Sequence, residues 1–164
     1  LCGLLHDIGR FVMFDKAASA LQQVEEINWQ TPEELIQAEL EVCGFDHSKL
    51  GGRVCAKWGL PEIVRGVVAY HHIYTLKKHK AIESHNLQLS NVLKVVQLAD
   101  RLSVLLINEA DVLNWPEQTL NPALVECCHP CLASLDLSYE RLKDIAEYAV
   151  DETARLVKGL GILH

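Results

Sequence analysis

Long apolar runs are missing from this chain. No stretch reaches the roughly 18 to 20 apolar residues that a bilayer-crossing helix needs, so no membrane span is expected. The start, LCGLLHDIGRF, has no basic region and no small-residue cleavage site, so no secretory signal is visible. Positive charge is in deficit: 15 Lys and Arg stand against 22 Asp and Glu, a net charge of −7. That balance argues against non-specific nucleic-acid binding, which works by neutralising phosphates, and suits a cytoplasmic protein. No initiator methionine precedes Leu1, and the pattern there is already apolar. The expectation is a piece of a longer polypeptide, cut close to or within a helix.

A disulfide framework is missing too. The cysteines are Cys2, Cys43, Cys55, Cys127, Cys128 and Cys131, scattered except for the run CCHPC. Without a secretory signal they read as thiols. A closed zinc site wants a second ligand pair at a distance, and none exists, so Cys127, Cys128 and Cys131 read as structural, with Pro130 in a turn. Period-two alternation and internal repeats are also absent.

What remains is helical. The chain has 164 residues, 49% hydrophobic and 23% charged, which is one globular domain with enough length for a real core. In TPEELIQAELEVCG, Thr31 reads as the N-cap, Pro32 as the first helical position, Glu34 as the capping-box partner and Gly44 as the stop. Asp46 caps HSKLGGRVCAKWG, Pro61 opens LPEIVRGVVAYHH, and Ser138 caps the final amphipathic helix. SNVLKVVQLADRLSVLLI is a long apolar helix. Residues 75–85 and 108–137 look less regular. The fold expected is an all-α bundle.

Residues three, four and seven apart share a helix face. On that rule Asp100 sits among Leu93, Val96, Val104 and Ile107, while Lys94, Gln97 and Arg101 read as the solvent stripe. His71 extends the Ile63–Val67 stripe and His72 the Val64–Val68 stripe. His47 shares a face with Leu50, Gly51, Val54 and Trp58, and Gly51 leaves room beside it. His6 and Asp7 have the small Cys2 and Gly3 one turn back. A single inward histidine is ordinarily a hydrogen-bonded core residue, and a single buried aspartate a cap or salt-bridge partner. Here four helices each bring imidazole or carboxylate to an apolar face. Nitrogen and oxygen donors in that mixture suit zinc, iron or manganese, so a metal centre is the expected partner of His6 and Asp7.

LLHDIGR, GFDHSKLGGRVCAKWGLPEIV, AYHH and QLADRLS together resemble the HD superfamily of metal-dependent phosphohydrolases, and more closely its HDOD branch, the HD-related output domains of bacterial signalling proteins. The resemblance is strongest over residues 1–107, and the whole of 1–164 is expected to be a single domain of that kind. It implies an HD-like helical bundle with further helices upstream. It implies that His6, Asp7 and Asp100 hold a first divalent ion, and that His47, His71 and His72 hold a second, with Asp7 bridging. Arg10 stands where many members carry lysine. Lys77 and Lys78 form a basic stretch that could attract a phosphate, although a solvated loop is the commoner role for such a run.

The glutamate and GYP signature of the cyclic-dinucleotide phosphodiesterase branch is absent after His72. The resemblance therefore implies a regulatory signalling domain carrying one or two ions of iron, manganese or zinc. The alternatives are an active phosphohydrolase on a nucleotide or other phosphoester, and a metal-free helical interaction domain. Partners are expected to be signalling proteins or other domains of the same polypeptide. Oligomeric state stays open, because the C-terminal helix could pack within the chain or across a dimer.

Overall fold

The structure is a computed structural model that describes residues 1–109 and 111–160, apart from the side chains of Leu76 and of residues 129–134. Every regular element among the described residues is helical: α1 (Cys2–Leu5), α2 (Ile8–Glu26), α3 (Pro32–Cys43), α4 (His47–Lys57), α5 (Glu62–Tyr70), α6 (Leu76–His85), α7 (Leu87–Asn108), α8 (Glu117–Leu135) and α9 (Tyr139–Gly159), with a 3-10 turn at Val112–Asn114. The expected all-α architecture is the observed one. None of the described helices is long and apolar enough to cross a membrane.

Helix starts follow the caps in the sequence. Thr31 Oγ1 accepts from Glu34 N at 3.2 Å, Asp46 accepts from Lys49 N at 2.9 Å, and Ser138 Oγ accepts from Arg141 N at 3.3 Å. The capping box differs in one detail: the Glu34 carboxylate accepts from the backbone N–H of Gln30, at 2.7 Å, and not from that of Thr31. Gly44 ends α3 in the left-handed region (φ 76°), which turns the chain toward Asp46 and α4. Within α2 the helical path breaks at Ala17 (φ −147°, ψ 45°).

Two stretches read as irregular are largely helix. In α6, His79 is buried and Ile82, three residues on, packs against Val67, Leu89, Leu93 and Val96. In α8, Leu120, Leu124 and Cys128 recur every four residues and pack with Leu98, Leu102, Leu142 and Ala146. Burial of that stripe outweighs the helix-breaking tendency of proline. Pro130 lies inside α8, not in a turn.

α7 joins two cores. Its first half packs on α5 through Val67, Leu89, Leu93 and Val96; its second half packs on α8 and α9. Cys55, Val64 and Val68 bind α4 to α5 from within, with Leu5 and Ile8 against them. The ends of α1, α5 and the middle of α7 consequently meet beside α4.

Candidate metal centre

His6 closes α1, and Asp7 is the residue before α2, so the pair occupies a joint between two helices. His6 Nδ1 donates to the Gly3 carbonyl at 2.7 Å, which turns Nε2 away from its own helix. The start of α2 comes unusually close to α4: a Cβ built on Gly9 would lie 2.0 Å from the His47 carbonyl oxygen. Gly51 answers from α4, where a Cβ would lie 2.8 Å from Val68 Cγ1 and 3.2 Å from Gly9 N. The space expected beside His47 is thus taken up by α2, and this approach carries Asp7 to the imidazole.

His47 is the first residue of α4 and fully buried. Its backbone N–H, an orphan donor of the first turn, donates to Glu39 Oε2 at 2.7 Å. Its Nδ1 donates to the same carboxylate, 2.7 Å from Oε2. Glu39 is itself fully buried. His71 Nδ1 donates to the Val68 carbonyl at 2.8 Å. The turn carrying His71 and His72 is held from α7, where Gln97 Nε2 donates to Ile73 O at 2.9 Å and Tyr70 O at 3.3 Å.

With their Nδ1 positions spent, the imidazoles face one another through Nε2. His47 Nε2 lies 3.2 Å from His71 Nε2, 3.0 Å from His72 Nε2 and 3.1 Å from Asp7 Oδ1. His71 Nε2 is 3.4 Å from the same Asp7 oxygen. On the other side, His6 Nε2 is 3.5 Å from Asp7 Oδ2 and 3.8 Å from Asp100 Oδ1. Asp100 Oδ2 is 3.7 Å from His72 Nδ1. Two groups with metal-ligand chemistry result, Asp7–His47–His71–His72 and His6–Asp7–Asp100, and Asp7 belongs to both.

Crowding polarises the protons. Burial alone would lift Asp7, but hydrogen bonds from His47 and His71 outweigh it and hold the carboxyl far below its usual range. Burial would likewise depress His47; hydrogen bonds to Asp7 and Glu39 overcome it and raise the imidazole to about 9. His72 is held far below the ordinary imidazole range by burial and by its histidine neighbours. Burial opposes a proton on His6, but Asp100 and Asp7 raise it.

All six residues singled out in the sequence, His6, Asp7, His47, His71, His72 and Asp100, meet here. Arg10 does not face them freely: it pairs with Glu25 and lies 5.6 Å above the Trp29 ring. Lys77 and Lys78 are exposed on α6. Cys127 donates its thiol to the Arg101 carbonyl at 3.1 Å and Cys128 is core; neither joins a metal-capable group among the described residues, and the Cys131 side chain lies outside them.

Four supporting residues were not anticipated. Glu39 continues the buried Leu35–Ala38–Val42 side of α3, so a signal for it existed. Gln97 and Arg101, read as a solvent stripe, are buried. Arg101 pairs with Glu33, donates to Cys127 O at 3.0 Å and stacks 4.1 Å over Tyr74. The Tyr74 hydroxyl stands 3.4 Å from His72 Nδ1 and 3.5 Å from Asp100 Oδ2.

No curated protein and no solved structure matches the chain. Residues 1–74 match the family model described as the HDOD domain, and the superfamily behind it is typically metal-dependent. That family is the HD-related output domain branch of the HD superfamily, and the match over this segment supports a regulatory or output domain of the HD superfamily.

Proposed function

We propose that this is a cytoplasmic signalling domain of bacterial type with a built two-ion centre, and that its partners are signalling proteins or further domains of the same polypeptide. His47, His71, His72 and one Asp7 oxygen hold one divalent transition-metal ion, iron, manganese or zinc. His6, Asp100 and the other Asp7 oxygen hold a second. The observation that carries this reading is the fixed direction of the imidazoles. Nδ1 of His6, His47 and His71 is spent on a carbonyl or carboxylate, the arrangement that metal-ligating histidines use to aim Nε2. Four of the separations among these donors, 3.0–3.4 Å, lie close to the edge of a tetrahedron, about 3.3 Å for metal–nitrogen bonds near 2.05 Å. A divalent ion there would supply Lewis acidity and a water of lowered pKa.

The chain's own residues favour regulation over phosphoester hydrolysis. Arg10, the cation nearest the motif in sequence, is engaged by Glu25 and Trp29. The second reading, a phosphohydrolase, draws on the partial exposure of His6 and Asp7, 23% and 37%, since an open coordination position needs access.

Elemental analysis of protein purified without added metal tests the proposal, alongside Asp7→Ala and His72→Ala. About one or two equivalents in the wild type, lost in both variants, is the expected outcome. Wild-type protein that stays metal-free after incubation with iron, manganese and zinc would leave only the helical interaction domain. Phosphoester turnover abolished by His6→Ala would promote the hydrolase.

A further inference from the structure

On the faces of α4 and α5 turned away from the imidazoles, those helices and α6 border an open groove of about 920 Å³. Lys49, Gly52, Arg53 and Ala56 form its α4 wall, whereas His47, Gly51 and Cys55 are the buried side of that helix. Arg65, Ala69 and Tyr70 come from α5, and Lys78, Ala81 and Ile82 from α6.

Its charge is opposite to that of the molecule. Its lining carries Lys49, Arg53, Arg65 and Lys78 against one carboxylate, Glu62. The whole chain nevertheless has a net charge of −7. Lys49 is tied to Asp46 at 2.7 Å, but the side chains of Arg53, Arg65 and Lys78 have no hydrogen-bond or ion-pair partner among the described residues. All three are exposed, and all three line the groove. Cations gathered on a concave surface concentrate anions there.

The floor is apolar and low. A Cβ on Gly52 would lie 2.8 Å from Ala69 Cβ, so α4 and α5 touch there with almost no side chain between them. Ala56 and Ala81 extend this shelf, and Tyr70 and Ile73 border it. The groove's volume falls within the roughly 300–1,000 Å³ of small-molecule sites. Two guanidinium groups beside an ammonium suit phosphate oxygens, which Arg grips in a fork.

We propose that this groove binds a nucleotide-sized organic phosphate, with Arg53, Arg65 and Lys78 on the phosphates and the base on the Gly52–Ala56–Ala69 shelf. Two arginines and a lysine lining one groove of nucleotide size favour it over an acidic helix of a partner protein, which needs a longer trough. The site is separate from the imidazole cluster and does not depend on the metal reading. Tyr70 and Ile73 flank His71 and His72, so an occupant rests against the segment that presents them.

The test is a titration of the 164-residue chain, kept metal-free with chelator, with ATP, GTP, adenosine, tripolyphosphate and a glutamate-rich peptide, followed by backbone amide NMR. Saturation by ATP or GTP is expected, with shifts at Gly52, Ala69 and Tyr70. Adenosine and tripolyphosphate should each bind at least about tenfold more weakly. Arg53→Glu with Lys78→Glu, and separately the milder Arg65→Gln, should weaken nucleotide binding about tenfold or more, while Asp7→Ala leaves it within about twofold. The proposal is overturned if neither nucleotide saturates below about 1 mM, or if tripolyphosphate binds as well as ATP. Affinity that ignores the charge changes, affinity that disappears with Asp7→Ala, or saturation by the peptide alone would each overturn it as well.

Discussion

Glu39 does two jobs with one carboxylate. It accepts the His47 backbone N–H and the His47 Nδ1–H, so it fixes both the start of α4 and the tautomer of the imidazole. Replacing Glu39 by Gln keeps the shape and removes the charge. Metal affinity measured at pH 9 should fall about 10- to 100-fold, the usual cost of losing such an outer partner. The pH dependence follows from the raised His47 value of about 9. Metal must displace that proton, so affinity in the wild type should climb through neutral pH and level off near 9. In Glu39→Gln the levelling should come at lower pH, which competition titrations at several pH values would reveal. Metal-free stability has a matching signature. His47 is raised, so its contribution is complete below about 6.5 and fades as pH rises through about 9. His72 is depressed and Asp7 is depressed; the first costs stability as pH falls below about 6.5 and the second as it falls below about 3.9. Thermal unfolding of the metal-free protein should therefore peak near pH 6.5. At this scale His47, His71, His72 and Asp100 could be picked out because each extends an apolar helical stripe, and His6 and Asp7 because they stand together at the end of an apolar stretch. Gln97 and Arg101 were not, because the exposed side of α7 carries Val95 and Ala99 beside Asn91 and Ser103. Polarity alone picked the wrong face, and the partners that satisfy the buried pair lie 24 or more residues away in sequence.

Between elements, the site depends on how closely two helices approach. Gly51→Ala would place a methyl against Val68, Ile8 and Gly9 at 2.8–3.3 Å. Relief requires α2 to shift from α4, which moves Asp7 from His47. A loss of about 1–3 kcal/mol in denaturant unfolding is expected, with reduced metal content. Gly9→Ala should be worse, because the clash is with the His47 backbone carbonyl. Gly3→Ala has open space and is the control. Asp46→Ala removes the α4 cap, with its bonds to Lys49 N at 2.9 Å and Ser48 Oγ at 2.6 Å, and should cost about 1 kcal/mol. α3, α4 and α9, with a capping side chain and a stripe, and α5 and α7, with long apolar stripes, were readable in advance. α6 and α8 were not, since a lysine run and prolines conceal the one face that tertiary contact buries. No local pattern could have announced the Gly9–Gly51 crossing, which is a property of two helices at once.

Across the whole molecule, the six candidate ligands come from the α1–α2 joint, α4, the end of α5 and α7, so an ion bound there would tie together elements that the chain separates. The family match stops at residue 74, yet Asp100 completes the group with His6 and Asp7, which brings α7 into the same cluster of side chains. The second core lies beyond it. There α9 buries only Leu142 and Ala146 and leaves Ile145, Tyr148, Val150 and Leu156 substantially exposed. Few buried contacts mean a low free energy of local opening. Ligand binding adds RT ln(1 + [L]/Kd) to the stability of what must unfold to release it, about 2.7 kcal/mol at a hundredfold excess over Kd. Amide hydrogen exchange should separate these two regimes. With saturating metal, protection should rise in α4, α5, the first half of α7 and the start of α2, by up to about a hundredfold. Amides of α9 should exchange fastest among the long helices and at the same rate with and without metal, because their opening leaves all the ligands in place. Metal-dependent protection of α9 equal to that of α4 would mean that the two cores unfold as one unit, with α7 transmitting the full stability of the centre to the C-terminal helices.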